Sequence, residues 1–176
     1  MNFLTNEEIL ILFIRTFGSL PVLFFPFIGS IFAIIVDLSD LFIMNFIQLG
    51  GVSDYQKLDK FADIFYMTLF FIVSLRWNSY EKLISIYLFL FRIIGLLLFF
   101  LFNERFILVL FPNVFEFWFI LISGYKYFFN YIISRKTVIK LLLISIILKL
   151  PHEIFIHYIK TLDNYTTTEF LQIFFK

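Results

Sequence analysis

The sequence predicts an all-helical, polytopic membrane protein in which about six transmembrane helices pack into one bundle. Of its 176 residues, 61% are hydrophobic and only 15% are charged, so the chain is more apolar than ordinary soluble domains. A helix needs about 20 apolar residues to cross a bilayer, and the apolar stretches leave room for roughly six such helices. These stretches are residues 9–36, 64–75, 83–101, 106–122 and 138–159.

Composition also narrows the location and the class of partner. The chain has 29 phenylalanines but alanine only at Ala33 and Ala62, a bias typical of AT-rich coding. We therefore expect an integral protein of a bacterial inner membrane or an organellar membrane. The formal net charge is +1 and no block of lysine and arginine is present, which argues against a nucleic-acid partner. Without cysteine, disulfides and thiolate metal sites are excluded.

The first part of the chain is predicted to contain three helices. The segment Thr5-Asn6-Glu7-Glu8 matches a capping box, so the first helix should begin near residue 6. Pro21 and Pro26 should bend or end it. The segment Gly50-Gly51-Val52-Ser53 is typical of a turn. Two further helices are expected on either side of this turn, at about residues 29–48 and 55–75.

The remaining helices are separated by short polar or aromatic connections. These are residues 76–79, 103–105 and 134–136, and they predict six helices in three hairpins within one domain, residues 1–176. Phe111-Pro112-Asn113 should break one of the spans. Residues 162–176 are more polar and are predicted to form an amphipathic tail on the membrane surface.

Five of the six aspartates fall between residues 37 and 63, inside an otherwise apolar sequence. At about 100° per residue, Asp37 and Asp40 share one face of the second helix, and Asp59 and Asp63 share one face of the third. Because a tight turn joins these helices, we expect the four carboxylates to surround one small volume. Intramembrane acids indicate ion, substrate or proton handling. One or two divalent cations would neutralise the cluster, and magnesium fits this ligand set best.

This pattern resembles the signature of the CDP-alcohol phosphatidyltransferase family, D-x2-D-G-x2-A-R, eight or nine residues, then G-x3-D-x3-D. The segments Asp37–Asn45 and Tyr55–Asp63 stand nine residues apart and match it at all four acids. The preceding stretch with Arg15 and Pro21 is similar to the first helix of that family. The resemblance therefore covers residues 6–75, the part that carries the acidic hairpin.

The resemblance implies a homodimeric membrane enzyme that transfers a phosphoalcohol group from a CDP-linked lipid donor to a small alcohol acceptor and releases CMP. It also implies that Asp37, Asp40 and Asp59 hold Mg²⁺ (or Mn²⁺), and that Asp63 holds metal or acts as the catalytic base. Membrane lipids would surround the protein. Arg105, in a loop on the same side as the acidic turn, is a candidate for binding a phosphate of the acceptor, with an ordinary interfacial arginine as the alternative.

The sequence departs from the family signature at four positions. The two glycines are replaced by Leu41 and Tyr55, and the Ala-Arg pair by Met44 and Asn45. Glycine permits close backbone approach, whereas Leu41 and Tyr55 would crowd a nucleotide pocket. Asn45 offers no guanidinium charge to a pyrophosphate. The alternative is a catalytically degenerate member that acts as a lipid-binding or membrane-assembly protein. The blander alternative is that the acids only flank a solvated turn.

Polar residues also interrupt the later apolar stretches and should face the interior of the bundle or an interface. They are Arg92, Glu116, Lys149, His152, Glu153 and His157. We interpret them as internal ion pairs, of Arg92 with Glu116 and of Glu153 with Lys149 or His157. An ion relay of a transporter is the alternative. A zinc-peptidase site is excluded, because H-E-x-x-x-H places its imidazoles about 140° apart around a helix.

The membrane orientation stays open at this stage. The family resemblance implies that the acidic turn lies in the cytoplasm. The positive-inside rule argues for the reverse, because lysines and arginines are concentrated in the opposite loops.

Overall fold

A computed structural model describes residues 4–40, 44, 51–129 and 132–154. Within these ranges the chain is all-helical, with seven α-helices, one short 3₁₀ helix and no strand, which confirms the predicted all-helical class. The helices are α1 (Asn6–Ser19), α2 (Pro26–Leu38), α3 (Tyr55–Ser74), α4 (Ser79–Phe102), α5 (Phe106–Leu110), α6 (Val114–Phe128) and α7 (Arg135–Glu153). The predicted tail at 162–176 lies outside the described residues.

The first helix begins where its capping box predicts. The Thr5 hydroxyl accepts from the Glu8 backbone N–H at 3.1 Å, and the Glu8 carboxylate accepts from the Thr5 N–H at 2.9 Å. α1 then ends at Ser19 and is followed by a 3₁₀ turn, Leu20–Leu23, that contains Pro21. α2 begins at Pro26, three residues before the predicted start, because proline fits the first turn of a helix, where its missing N–H needs no partner.

The other connections also fall close to their predicted positions. α3 and α4 meet at residues 75–78, and Asn78 forms a capping box with Glu81. α4 ends at Asn103, whose left-handed conformation (φ 57°) is a common helix stop. The break at Phe111-Pro112-Asn113 separates the short α5 from α6, as predicted.

Aromatic side chains fill the interior where α3, α4 and α6 pack together. Phe70, Phe115, Trp118 and Phe119 are completely buried. The rings of Phe70 and Phe119 stack with their centroids 4.2 Å apart. The Trp118 indole N–H donates to the Ser85 hydroxyl at 2.8 Å, so this buried donor is satisfied. The interior of the bundle is therefore fixed by large rings with defined partners.

The distribution of polarity is inverted relative to a soluble protein. Large apolar side chains lie on the outside, with Phe24, Leu101 and Phe129 each more than three quarters exposed. Several charged side chains lie inside, among them Arg92 and Glu81, which are 1% exposed. Soluble proteins almost never bury charges while exposing extended apolar surface.

One described helix, α4, is both long enough and apolar enough by itself to cross a membrane. Its 24 residues correspond to a length of about 36 Å. The coarse prediction of an all-helical bundle is confirmed, whereas the six spans stay a prediction.

Gly95 lets α4 approach the break between α5 and α6. A Cβ built at Gly95 would lie 2.2 Å from the Cβ of Phe111. We therefore expect Gly95→Ala to destabilise the protein by about 1–3 kcal/mol, as overpacking of an interior does. Denaturation with SDS in mixed micelles would measure this. Leu97→Ala on the exposed face of α4 is the control, because Leu97 is 58% exposed, and an equal effect of both changes would contradict the close contact.

Candidate functional site

The N-terminus of α1 holds the connection that leads into α3. Glu7 accepts from the Gly51 backbone N–H at 3.0 Å, and Glu8 accepts from the Ser53 backbone N–H at 3.0 Å. Gly51 adopts a left-handed conformation (φ 73°), which glycine reaches without steric conflict. Asp54 then caps α3 by accepting from the Lys57 N–H at 3.1 Å. The start of α3, and with it Asp59 and Asp63, is thereby fixed against α1.

The four predicted aspartates converge on one side chain, the Arg15 guanidinium of α1. Arg15 Nη1 donates to Asp40 at 3.0 Å and to Asp59 at 2.9 Å. Arg15 Nη2 donates to Asp63 at 2.7 Å and also forms an ion pair with Asp37. The prediction that the carboxylates surround one small volume therefore agrees with the structure. We call Asp37, Asp40, Asp59 and Asp63 the acidic cluster.

A second cation lies beside the acidic cluster. The Lys60 ammonium is 2.6 Å from Asp59 and 3.0 Å from Asp63, and its side chain is 12% exposed. When all four carboxylates are ionised they carry a charge of −4, against +2 on Arg15 and Lys60, and the contacts then leave a charge of −2. One divalent cation has the charge that would neutralise this remainder.

Three of the four acids are close enough to share one ion. Asp37, Asp59 and Asp63 each offer an oxygen, and these oxygens lie within 4.8 Å of one another. Carboxylate oxygens are the ligands that Mg²⁺ and Mn²⁺ prefer, so the residues fit such an ion in number and chemistry. Asp40 lies outside this group and is completely buried against Arg15. The structure thus places three of the four predicted ligands close enough together to share one ion.

Arg15 contacts the same oxygens that an ion would need. Its guanidinium reaches Asp37, Asp59 and Asp63 at once. Both oxygens of Asp63 accept from cationic donors, Arg15 and Lys60. A metal ion could therefore bind these oxygens only if the Arg15 guanidinium gave up part of its contact with them. Sequence reasoning placed Arg15 in the first helix without this role, although one arginine inside an apolar helix is itself a signal.

A cavity of about 370 Å³ opens beside the acidic cluster and extends between α3, α4, α6 and α7. Asp37, Asp59 and Asp63 line one end, together with Tyr55. Tyr55 stands where the signature that the sequence resembles has glycine, and the prediction that it crowds a nucleotide pocket stays a prediction. Leu41 and Asn45 lie outside the described residues, so their effect on the cavity stays a prediction.

The other end of the cavity is lined by a polar network that we call the polar lobe. It comprises Tyr66, Arg92, Asn113, Glu116, Lys149 and Glu153. The Asn113 amide and the Lys149 ammonium both bind Glu116, at 3.0 and 3.1 Å. Tyr66 donates to Glu116 at 3.3 Å and accepts from Asn113 at 3.1 Å. The polar lobe therefore joins α3, α6 and α7 through charged and uncharged hydrogen-bonding groups.

The predicted pairs among these residues are partly confirmed. Lys149 lies 3.6 Å from Glu153, one helical turn away, as predicted. Glu116 pairs with Lys149, whereas Arg92 donates to the Phe111 carbonyl at 2.6 Å. The predicted contact of Arg92 with Glu116 is thus replaced, because the helix break frees a carbonyl that Arg92 reaches. His152 lines the cavity, and His157 lies outside the described residues.

Arg105 is not among the residues that line the cavity. It lies at the start of α5, on the same side of the bundle as the turn before α3, and its charge acts on Asp54. Partial burial alone would raise the pKa of Asp54, but the Lys57 N–H, the Lys57 ammonium and the Arg105 charge together hold that pKa below its usual range. The predicted side of Arg105 agrees with this interaction of charges, and its predicted role as a phosphate ligand stays a prediction.

Sequence reasoning did not assign Lys60, Tyr66 or Asn113 to the site. Lys60 and Tyr66 lie three residues before and after Asp63 on the same helix, so the helical period alone would have indicated them. In the sequence, Asn113 belongs to the predicted helix break at residues 111–113. Its polar side chain inside an apolar stretch was the signal.

Comparisons of this chain with protein-family models, with curated proteins and with solved structures found no match. The family resemblance therefore rests on the spacing of the acids in the sequence.

Proposed function

We propose that this protein is a membrane enzyme of the CDP-alcohol phosphatidyltransferase type that depends on a divalent metal. It would transfer a phosphoalcohol group from a CDP-linked lipid to a hydroxyl acceptor and release CMP. The observation that carries this proposal is the convergence of Asp37, Asp59 and Asp63 from two helices at the wall of a cavity. Three carboxylates beside a cavity suit an ion that also binds phosphate oxygens of a substrate.

The inverted polarity supports a location within a membrane. Apolar side chains cover the outside of the bundle, and charged groups such as Arg15, Asp63 and Arg92 lie inside it. α3 has 20 residues and α7 has 19, lengths that correspond to about 30 Å each. Both carry charged residues of the cavity, which lowers their hydropathy. We propose spans formed by α1 with its 3₁₀ turn, by α2, α3, α4 and α7, and by α5 together with α6.

In the proposed reaction, Asp37, Asp59 and Asp63 would hold Mg²⁺ or Mn²⁺, which when bound would supply positive charge to offset that on the departing CMP. Arg15 gives up part of its contact with these carboxylates, and its guanidinium is then available to a pyrophosphate oxygen. This would supply the charge that Asn45 lacks. The acceptor oxygen forms a bond to phosphorus as the bond to CMP breaks, and the acceptor proton passes to Asp63.

The test is release of CMP by the purified protein in lipid nanodiscs. CDP-linked lipids are offered with a mixture of alcohols, and we expect release with Mg²⁺ or Mn²⁺ and none after chelation with EDTA. Release that continues unchanged in EDTA would contradict the metal site. No release from any CDP-linked lipid, with bound Mn²⁺ verified by electron paramagnetic resonance, would contradict the transferase.

The second candidate is a catalytically degenerate member that binds lipid or assists membrane assembly. Two observations favour it, because Arg15 already occupies the carboxylates of the acidic cluster and Tyr55, where the family has glycine, lines the cavity. It predicts that lipids copurify with the protein while no donor yields CMP. The resemblance implies a homodimer, and this expectation is the same for both candidate functions.

A further inference from the structure

Two connections lie against each other at one end of the bundle, the one between α3 and α4 and the one between α6 and α7. The Arg135 guanidinium lies over the Tyr80 ring, 5.5 Å from its centroid, and the Lys126 ammonium is 2.9 Å from Glu81. α3 begins beside the acidic cluster, and its 20 residues correspond to about 30 Å, so these connections lie at the opposite end of the bundle. We call residues 75–82, 126–129 and 132–140 the basic end.

The basic end carries exposed cations without an exposed acid. Glu81 is its one acidic residue among those that the structure describes, and Glu81 is 1% exposed and paired with Lys126. The remaining cations of the basic end have exposed side chains, and they are Arg76, Lys82, Arg135, Lys136 and Lys140. The three exposed lysines have no acidic partner among the described residues. A surface with this excess of positive charge fits an anionic partner.

The cations at the other end of the bundle are compensated within the protein. Arg15 and Lys60 contact the acidic cluster, and the Lys57 ammonium is 3.0 Å from Asp54. The charge of Arg105 also acts on Asp54. Within the described part of the chain, uncompensated positive charge is therefore concentrated at the basic end.

Exposed aromatic side chains lie beside the cations of the basic end. Tyr80 is 57% exposed and Tyr127 is 60% exposed. Lys82 follows the start of α4 by three residues and Lys140 follows the start of α7 by five, so both lie within about 8 Å of a helix end. Tyrosine rings and long lysine side chains near helix ends are typical of the level of lipid headgroups. These lysines are therefore placed to meet headgroups directly.

We infer that the basic end binds the headgroups of anionic phospholipids in the cytoplasmic leaflet. The inference rests on the proposed membrane location but not on the proposed transferase reaction. The cytoplasmic leaflet has a negative surface potential that attracts lysine and arginine next to a membrane span. The inference therefore favours the orientation given by the positive-inside rule over the one implied by the family resemblance, and the acidic cluster then faces away from the cytoplasm.

Spin-labelled lipids test the binding. The protein is reconstituted in phosphatidylcholine bilayers with a trace of spin-labelled phosphatidylglycerol or spin-labelled phosphatidylcholine. Electron paramagnetic resonance then gives the relative association of each lipid with the protein. We expect phosphatidylglycerol to associate about threefold more strongly at low ionic strength. The preference should disappear in about 1 M NaCl, where the screening length is about 3 Å.

Variants of the three exposed lysines assign the preference to the basic end. Lys82→Gln, Lys136→Gln and Lys140→Gln, combined in one protein, should abolish it, because they remove the cations that lack an acidic partner. The matched control changes the same three residues to arginine, keeps the charge and should keep the preference. Circular dichroism checks that both proteins are folded. Equal association of the two lipids with the parent chain, or an unchanged preference in the folded glutamine variant, would overturn the inference.

Cysteine labelling tests which leaflet the basic end meets. The chain has no cysteine, so an introduced cysteine is its only thiol. Ser79 at the basic end and Glu104 at the opposite end are both exposed. We expect a membrane-impermeant maleimide to label Glu104→Cys in intact bacterial spheroplasts, and Ser79→Cys only in inside-out vesicles.

The outcomes separate the inference from the proposed function. The reverse labelling pattern overturns the inference, and labelling of both positions from one side overturns it together with the proposed spans. Nanodiscs expose both faces of the protein, so release of CMP there tests the transferase independently of the orientation. A protein that prefers phosphatidylglycerol and is labelled as expected, but releases no CMP, supports the inference and contradicts the transferase.

Discussion

Arg15→Gln is expected to lower the free energy of unfolding of the metal-free protein by about 3–5 kcal/mol, the usual effect of removing one partner from a buried ion pair. Arg15 is 3% exposed and contacts all four members of the acidic cluster. Without the guanidinium, Lys60 would be the remaining cation beside the acidic cluster among the described residues, and it contacts only Asp59 and Asp63 there. Their mutual repulsion in an apolar interior would then be largely uncompensated.

A divalent metal should reverse much of this loss. An ion that binds the folded protein stabilises it in proportion to the logarithm of its concentration over the dissociation constant. Arg15→Gln also removes the group that competes for Asp37, Asp59 and Asp63. We therefore expect the variant to bind Mn²⁺ more tightly than the parent chain, as measured by electron paramagnetic resonance. SDS denaturation in mixed micelles, with and without Mg²⁺, gives the stability of both proteins.

Lys82→Gln provides the control for the charge change, because Lys82 is exposed near the start of α4 and makes no contact with the acidic cluster among the described residues. It should change neither the stability without metal nor the affinity for Mn²⁺. An Arg15→Gln protein as stable as the parent without metal would contradict the role of Arg15 as the internal counter-charge.

Local sequence patterns were enough to predict most helix boundaries. The capping box at Thr5 and Glu8 fixes the start of α1, because it satisfies backbone donors that the helix itself leaves without a partner. Pro21 and Pro26 end one helix and begin the next for equally local reasons. The convergence of the acids was also predictable, since helical spacing and one turn define which residues share a face.

The contacts made by Arg15 and Arg92 were not predictable in the same way. Arg15 lies 22 to 48 residues from its partners in the sequence, so its place depends on how α1 packs against both α2 and α3. Arg92 binds a carbonyl freed by the break at Phe111, a backbone group that no side-chain pattern displays. Long-range packing decided both contacts. The predicted pair of Arg92 with Glu116 was wrong for this reason.

Asp63→Asn is expected to reduce the rate of CMP release by about 10²–10⁴-fold, the usual contribution of a catalytic base. The change keeps the shape of the side chain and removes its charge. It therefore weakens the metal site and abolishes the proton acceptor at the same time. Asp63→Glu should retain part of the activity, because it keeps a carboxylate that can still reach the metal.

Asp54→Asn is the matched control for this variant, since it makes the same chemical change nine residues earlier, at the N-cap of the same helix. Asparagine caps a helix as well as aspartate does, so the fold should be unaffected. Initial rates at saturating Mg²⁺ should match those of the parent chain for Asp54→Asn and fall for Asp63→Asn. Circular dichroism checks that both variants are folded. Equal activity of the folded Asp63→Asn protein and its parent would remove Asp63 from the reaction, and the acidic cluster would then serve only to bind Arg15 within the bundle.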